Sequence, residues 1–113
     1  MKIRKGDVFL ADLNPAFGHE QQGRRPVLVV SNDAANDTLQ TVQIAPLTGQ
    51  VKAARFPSTV LVTVGEAGLA KDSVALLFQI RVLDKRRLQT RWGAVDKGTL
   101  EKIDAAIRQT FDL

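Results

Sequence analysis

The residues best equipped for chemistry are crowded into Gly18-His19-Glu20-Gln21-Gln22-Gly23-Arg24-Arg25-Pro26, which runs straight into Val27-Leu28-Val29-Val30. This one stretch holds an imidazole, a carboxylate, two side-chain amides and two guanidiniums. Histidine titrates near neutral pH, so His19 can shuttle a proton, or it can be a plain exposed contact residue. Glu20 can orient Arg25 or bond backbone amides; as a free carboxylate it would repel a phosphate unless a cation pairs with it. Arg25 stays charged at any working pH, and its planar fork suits phosphate oxygens. Pro26 confines Arg25 to extended backbone angles, at the root of the strand that follows. A fixed cation beside a polar loop is suited to gripping a phosphate; the plainer alternative is a surface ion pair with Glu20 or Asp33.

Three further positions carry chemistry. Thr48 stands at the end of an apolar run and precedes Gly49, which permits close approach of another chain. Its hydroxyl could bond a phosphate oxygen or orient an attacking group, or simply cap a turn. Gln79 interrupts the apolar run Val74 to Ile80, and a polar amide there must find partners. Counting by two places Gln79, Arg81 and Leu83 on one face, opposite Phe78, Ile80 and Val82. Gln79 then either satisfies a neighbouring backbone or reads a base. Phe17, beside Gly18, offers a ring on which a base could stack, worth ~1–3 kcal/mol, or one that folds back onto the body.

These residues need a scaffold, and the pattern is mostly strands. Asp7 to Leu13, Pro26 to Asn32, Thr41 to Leu47, Thr59 to Val64, Ser73 to Leu83 and Leu88 to Val95 read as six of them. The second is nearly all apolar, hence covered on both faces. Asp33 to Asp37 has room for one helical turn at most, and Lys52 to Pro57 is a polar connection. Leu100, Ile103, Ile107 and Phe111 recur at helical steps and mark an amphipathic helix from about Thr99 to Asp112. Short strands with one terminal helix predict an α+β, mostly β protein: a small, partly closed antiparallel barrel.

Composition narrows the class. The chain has 113 residues, 44% of them hydrophobic, which suits one domain over 1–113 with a modest core. Met1-Lys2-Ile3-Arg4-Lys5 leads directly to Gly6-Asp7 without a signal peptide, and no apolar run is long enough for a bilayer. A cytoplasmic protein with no membrane association is expected. With no cysteine and a single histidine, neither a thiolate nor a transition-metal site is expected. Net charge is +4 and the pI about 9.9, pointing to a polyanion partner. Between Arg81 and Arg91 stand five cations (Arg81, Lys85, Arg86, Arg87, Arg91) against Asp84. That run is either a solvated rim, a nucleic-acid track or a docking patch for an acidic segment.

The chain resembles the MazF/PemK-type mRNA interferase toxins over essentially its whole length. The matching motifs are Gly6-Asp7-Val8, Asp12-Leu13-Asn14-Pro15, Gly18 through Pro26, Val27 to Asn32, Pro46-Leu47-Thr48-Gly49-Gln50 and Asp72 through Arg81. The resemblance implies a single toxin domain with a MazF/Kid/CcdB-like, SH3-like antiparallel barrel. It implies a sequence-specific endoribonuclease that cleaves single-stranded RNA through 2′-hydroxyl attack, leaving 2′,3′-cyclic phosphate and 5′-hydroxyl ends without metal or other cofactor. By the same resemblance Arg25 and Thr48 are catalytic, and His19 and Glu20 serve acid–base or loop-support roles. Phe17, Gln21, Gln50, Gln79 and Arg81 contact RNA. The protein would be a homodimer neutralised by a cognate antitoxin whose acidic, disordered tail crosses the RNA groove. One branch of the family carries an Arg-x-Asp pair ahead of the glutamine; Leu76 and Phe78 stand there instead, which shifts the chemistry toward Arg25 and Thr48. The general base stays open among His19, Glu20 and solvent. Two rivals remain: a gyrase poison of the same fold, which would act through a C-terminal tryptophan where this chain has only Trp92, and a silent RNA-binding barrel.

Overall fold

In a computed structural model describing residues 1–113, apolar alternation becomes seven strands. They are β1 (Asp7–Asp12), β2 (Arg24–Val29), β3 (Thr41–Thr48), β4 (Thr59–Val62), β5 (Ser73–Leu76), β6 (Arg81–Asp84) and β7 (Leu88–Ala94). Two α-helices accompany them, α1 (Asp33–Thr38) and α2 (Lys97–Thr110). The hydrogen-bonded path runs β4-β5-β3-β2-β1-β7, with β6 also paired to β3, and the ladders are antiparallel. The expected antiparallel, barrel-like sheet and terminal helix are present, and the sheet does not close on itself. Its end strands meet other partners: α2 packs against β4, and the turn Glu66–Gly68 packs against β7. No helix is long and apolar enough to cross a membrane.

Val27, Leu28 and Val29 are fully buried, as their unbroken apolar run requires. Leu28 joins Val8, Ala45, Leu47, Ile103 and Ala106 under α2. Val27 and Val29 point the other way, among Phe9, Ala11, Leu13, Ile44, Leu83 and Leu88. Each such side chain contributes roughly 1.5–3 kcal/mol by leaving water. Helix α2 starts two residues before its expected position because Asp96 caps it, accepting from Thr99 N at 2.8 Å. Phe111, counted in the apolar stripe, lies past the last helical turn and is exposed. Asn32 caps α1, accepting from Ala35 N at 2.8 Å, so a six-residue helix replaces the single expected turn.

The long fifth strand expected over Ser73 to Leu83 is broken in two. One edge of β3 serves both halves: Leu47↔Ala75 and Thr48↔Val74 with β5, then Ile44↔Arg81 and Gln43↔Val82 with β6. Between them Leu77–Gln79 winds into a 3₁₀ turn, and this turn presents Gln79. Counting by two survives in β6, where Leu83 is buried and Val82 exposed, but fails at Gln79 because that residue is not in a strand.

The basic run is largely occupied within the chain. Arg81 donates to Leu13 O, Arg87 to Asp12 O, Arg91 to the buried Asp7 carboxylate, Arg86 to Asp84 and Lys85 to Asn36 O. The side-chain bond from Arg86, joined by its backbone amide, brings the Asp84 carboxyl down to about 2. A carboxylate held low stabilises the fold above its unfolded value near ~4, and that support disappears as pH falls through the lower value. Asp84→Asn is therefore expected to flatten the acid limb of a urea-midpoint against pH curve below about pH 4. Superimposable limbs for the variant and the parent would refute the pairing.

Candidate active site

Between β1 and β2 the chain makes a tied-down polar loop. Leu13 N donates to Gly23 O at 2.9 Å across its neck, and Gly23 N donates to Asn14 Oδ1 at 3.0 Å. At the tip, Phe17 N donates to Glu20 Oε1 at 2.7 Å while Glu20 N donates to Phe17 O at 3.0 Å. Gly18, at φ +55°, permits that tight reversal. Glu20 thus serves the loop's backbone and makes no ion pair with Arg25. Asp33 is engaged elsewhere, by Lys5 N at 2.7 Å and the Arg4 guanidinium at 3.4 Å, so neither anticipated partner of Arg25 is used.

Gln79 clamps the loop from below. Its Oε1 accepts from Gln21 N at 2.9 Å and its Nε2 donates to His19 O at 3.0 Å. Arg81 holds the loop's stem through Leu13 O at 3.1 Å. Gln79 thus satisfies a neighbouring backbone, the first of its two readings. Replacing Gln79 by Leu keeps bulk but removes both bonds, each worth about 1 kcal/mol. Amide exchange at Gln21 should then quicken roughly tenfold while global stability falls by no more than about 2 kcal/mol. An unchanged Gln21 exchange rate would show that the clamp does not hold the loop.

Arg25 lies in β2, paired with Ala11 of β1, and its Nε donates to Gln22 O at 2.8 Å. Both Nη groups remain uncommitted. The β2–β3 register, carried two residues past Val27↔Pro46, sets Arg25 across from Thr48 on the same face. Thr48 is only 4% exposed, and its hydroxyl accepts from Gln50 N at 3.2 Å, leaving its proton available to donate.

Two hollows open here, one reaching Thr48 and the other its neighbour Gly49. The larger, about 540 Å³, is lined by His19, Gln21, Thr48, Gln50, Phe56, Phe78 and Gln79, among others. The smaller, about 220 Å³, includes Arg24, Arg25, Gly49, Lys71, Ser73 and Trp92 in its lining. Glu20 and Arg81 line a third, of about 350 Å³, which shares Gln21, Phe78 and Gln79 with the first. Five of the anticipated residues thus share one hollow, and Arg25 faces its neighbour. Phe17 is 80% exposed and lines none of the three. No three His, Asp or Glu side chains are grouped so as to hold a metal ion.

Arg24, Lys71 and Trp92 were missed as site residues. Trp92 was visible as the only tryptophan, but nothing in the sequence brings Lys71 to Gly49; that approach is made by the turn ahead of β5.

A family profile described as PemK-like, MazF-like toxin of type II toxin–antitoxin system matches residues 4–111. The chain belongs to this family. Endoribonuclease EndoA of Bacillus subtilis strain 168 is 41% identical to this toxin-family chain over 113 residues, covering 100% of this chain and 97% of the relative. MazF from Deinococcus radiodurans superposes with a TM-score of 0.84 at 26% identity, covering 100% and 99% of the two chains. A mycobacterial endoribonuclease solved in complex with its cognate antitoxin gives a TM-score of 0.78 at 26% identity, covering 99% and 95%. The MazF/PemK resemblance read from the loop motif is thereby confirmed.

Proposed function

We propose that this MazF/PemK-like chain is an mRNA interferase toxin, one domain over 1–113, that cleaves single-stranded RNA in the cytoplasm. It works as a homodimer and is silenced by a cognate antitoxin; relatives described as endoribonucleases, one solved with its antitoxin, support this reading. The observation that carries the chemistry is the Arg25 guanidinium with both Nη groups free; the β2–β3 register, extended two residues, would set it opposite the Thr48 hydroxyl. In the reaction the ribose O2′ attacks the adjacent phosphorus and the P–O5′ bond breaks. The O2′ proton passes to a base, and O5′ leaves with a proton, giving a 2′,3′-cyclic phosphate and a 5′-hydroxyl.

Arg25 stabilises the charge that builds on the phosphate oxygens, and Thr48 donates to one of them. His19 takes the proton in this scheme, because it lines the hollow with Thr48 while Glu20 is occupied by Phe17 N. Gln21 and Gln50 contact the strand from the walls of that hollow, the exposed Phe17 ring is available for a base outside it, and Gln79 and Arg81 hold the loop in place.

The test is cleavage of single-stranded RNA in excess EDTA, with ends identified by mass. Cyclic phosphate and 5′-hydroxyl ends are expected, and a single 2′-deoxy nucleotide at the cleaved position should protect the strand. Uncut RNA together with an inhibited gyrase would overturn the reading in favour of a protein-directed poison.

A further inference from the structure

We propose that the hollow lined by Arg24, Arg25, Lys71 and Trp92 is a second nucleotide subsite, taking the nucleotide beside the cleaved bond: Arg24 and Lys71 hold its phosphate and Trp92 stacks on its base. The inference rests on the RNA-cleaving reading and extends it to the side of Thr48 away from His19.

Charge is the first argument. Three cations line this hollow and no acidic residue does. None of the three forms an ion pair, whereas the Arg81–Arg91 cations are all bonded within the chain. Arg24 spends only its Nε, on Gln89 Oε1 at 3.0 Å, and Arg25 only its Nε. The forked ends of both remain for an anion.

Construction is the second argument. The β1–β7 register shifts between Val8↔Gly93 and Phe9↔Arg91, which makes Trp92 the extra residue of a bulge. Bulges re-aim side chains, and this one sets a 37% exposed indole into the hollow. The turn Glu66–Gly68 docks on the bulge so closely that only glycines fit. A Cβ on Gly93 would stand 2.9–3.2 Å from the Ala67 backbone, and one on Gly68 would overlap the Trp92 carbonyl. From that anchored turn the chain passes through buried Leu69 to Lys71, whose ammonium end lies over Gly49, next to Thr48. Ser73 Oγ donates to Lys71 O at 3.1 Å and fixes the backbone there. The same docking therefore places an unpaired cation and an aromatic face together beside the catalytic threonine. Cation plus ring is the recognition chemistry of single-stranded nucleic acid; an acidic peptide would have no use for the ring.

Trp92 is the only tryptophan and there is no tyrosine, so the protein's indole emission reports this hollow alone. The protein would be titrated with single-stranded RNA carrying one 2′-deoxy nucleotide at the cleaved position. Saturable quenching is expected, and an abasic nucleotide at the flanking position should abolish quenching while retaining binding. Lys71→Ala should weaken binding about tenfold and lower the slope of log Kd against log salt by about 0.7. Trp92→Leu should raise KM roughly tenfold with kcat little changed, and Trp92→Phe should restore it. If the wild type cuts RNA while its emission stays constant and both variants keep the parental KM, the subsite does not exist. Emission that shifts with protein concentration alone assigns the hollow to a contact between copies, and equal quenching by polyglutamate assigns it to an acidic peptide; either result overturns the proposal. A wild type that cuts no RNA defeats the cleavage reading itself, before the variants are compared.

Discussion

Arg25→Ala is expected to slow RNA cleavage by about 10²–10³-fold, the usual cost of removing one preorganised donor aimed at developing charge. The loss should fall on kcat, because the phosphate oxygens gain charge only as the pentacovalent arrangement forms. The fold should hardly notice. Arg25 contributes one hydrogen bond, from Nε to Gln22 O, worth about 1 kcal/mol, and no ion pair depends on it. Arg25→Lys should recover only part of the rate, since an ammonium is a point charge that cannot present a fork. Single-turnover rates with saturating RNA, alongside melting curves, separate the two effects. A full rate in the alanine variant would remove Arg25 from the mechanism, and a collapsed melting temperature would make it a structural residue.

The second large effect is on stability, and it comes from two glycines of one turn. Gly65 and Gly68 both have positive φ, at +91° and +74°, so alanine is strained at either. A Cβ on Gly65 meets nothing within 4 Å, whereas on Gly68 it would run into the Trp92 carbonyl. Gly65→Ala should therefore cost about 1 kcal/mol of strain. Gly68→Ala adds overpacking against main chain and should cost about 2–4 kcal/mol, or on the order of 10 °C in melting temperature. Equal losses at the two positions would mean that the turn lifts off β7 without resistance. The Gly68 variant should also lose activity on flanking nucleotides, because the same docking carries Lys71 and Trp92.

Much of the candidate site was readable from side-chain type and spacing. The concentration of polar groups between Gly18 and Pro26, and Pro26 holding Arg25 extended, pointed to the loop and strand that line the hollows beside Thr48 and Gly49. The two-sided burial of Val27 to Val29 followed from an unbroken apolar run. What went unread were partnerships across long sequence separations. Four of the five cations looked free because their acceptors, Asp7, the carbonyls of Asp12 and Leu13, and Asn36 O, lie far away in the chain. Gln79 looked like a strand residue because nothing local announces that β3 must pair two strands in offset registers. Glu20 was the local exception: of its two readings, orienting Arg25 or bonding backbone amides, the second holds, because a carboxylate three residues from an open amide satisfies that amide first.

By itself the sequence determined which residues are chemically competent, that the scaffold is antiparallel strands with a terminal helix, and which toxin family the chain belongs to. Each of these is carried by residue type, by a period of two or of 3.6, or by a contiguous motif, and so needs no knowledge of distant contacts. Only the tertiary structure decided which cations are free, that the candidate site is two hollows, one reaching Thr48 and the other Gly49, and that the sheet stays open. The physical reason is that hydrogen bonds and ion pairs saturate: whether a guanidinium can meet a phosphate depends on whether some remote carbonyl or carboxylate has already taken its protons.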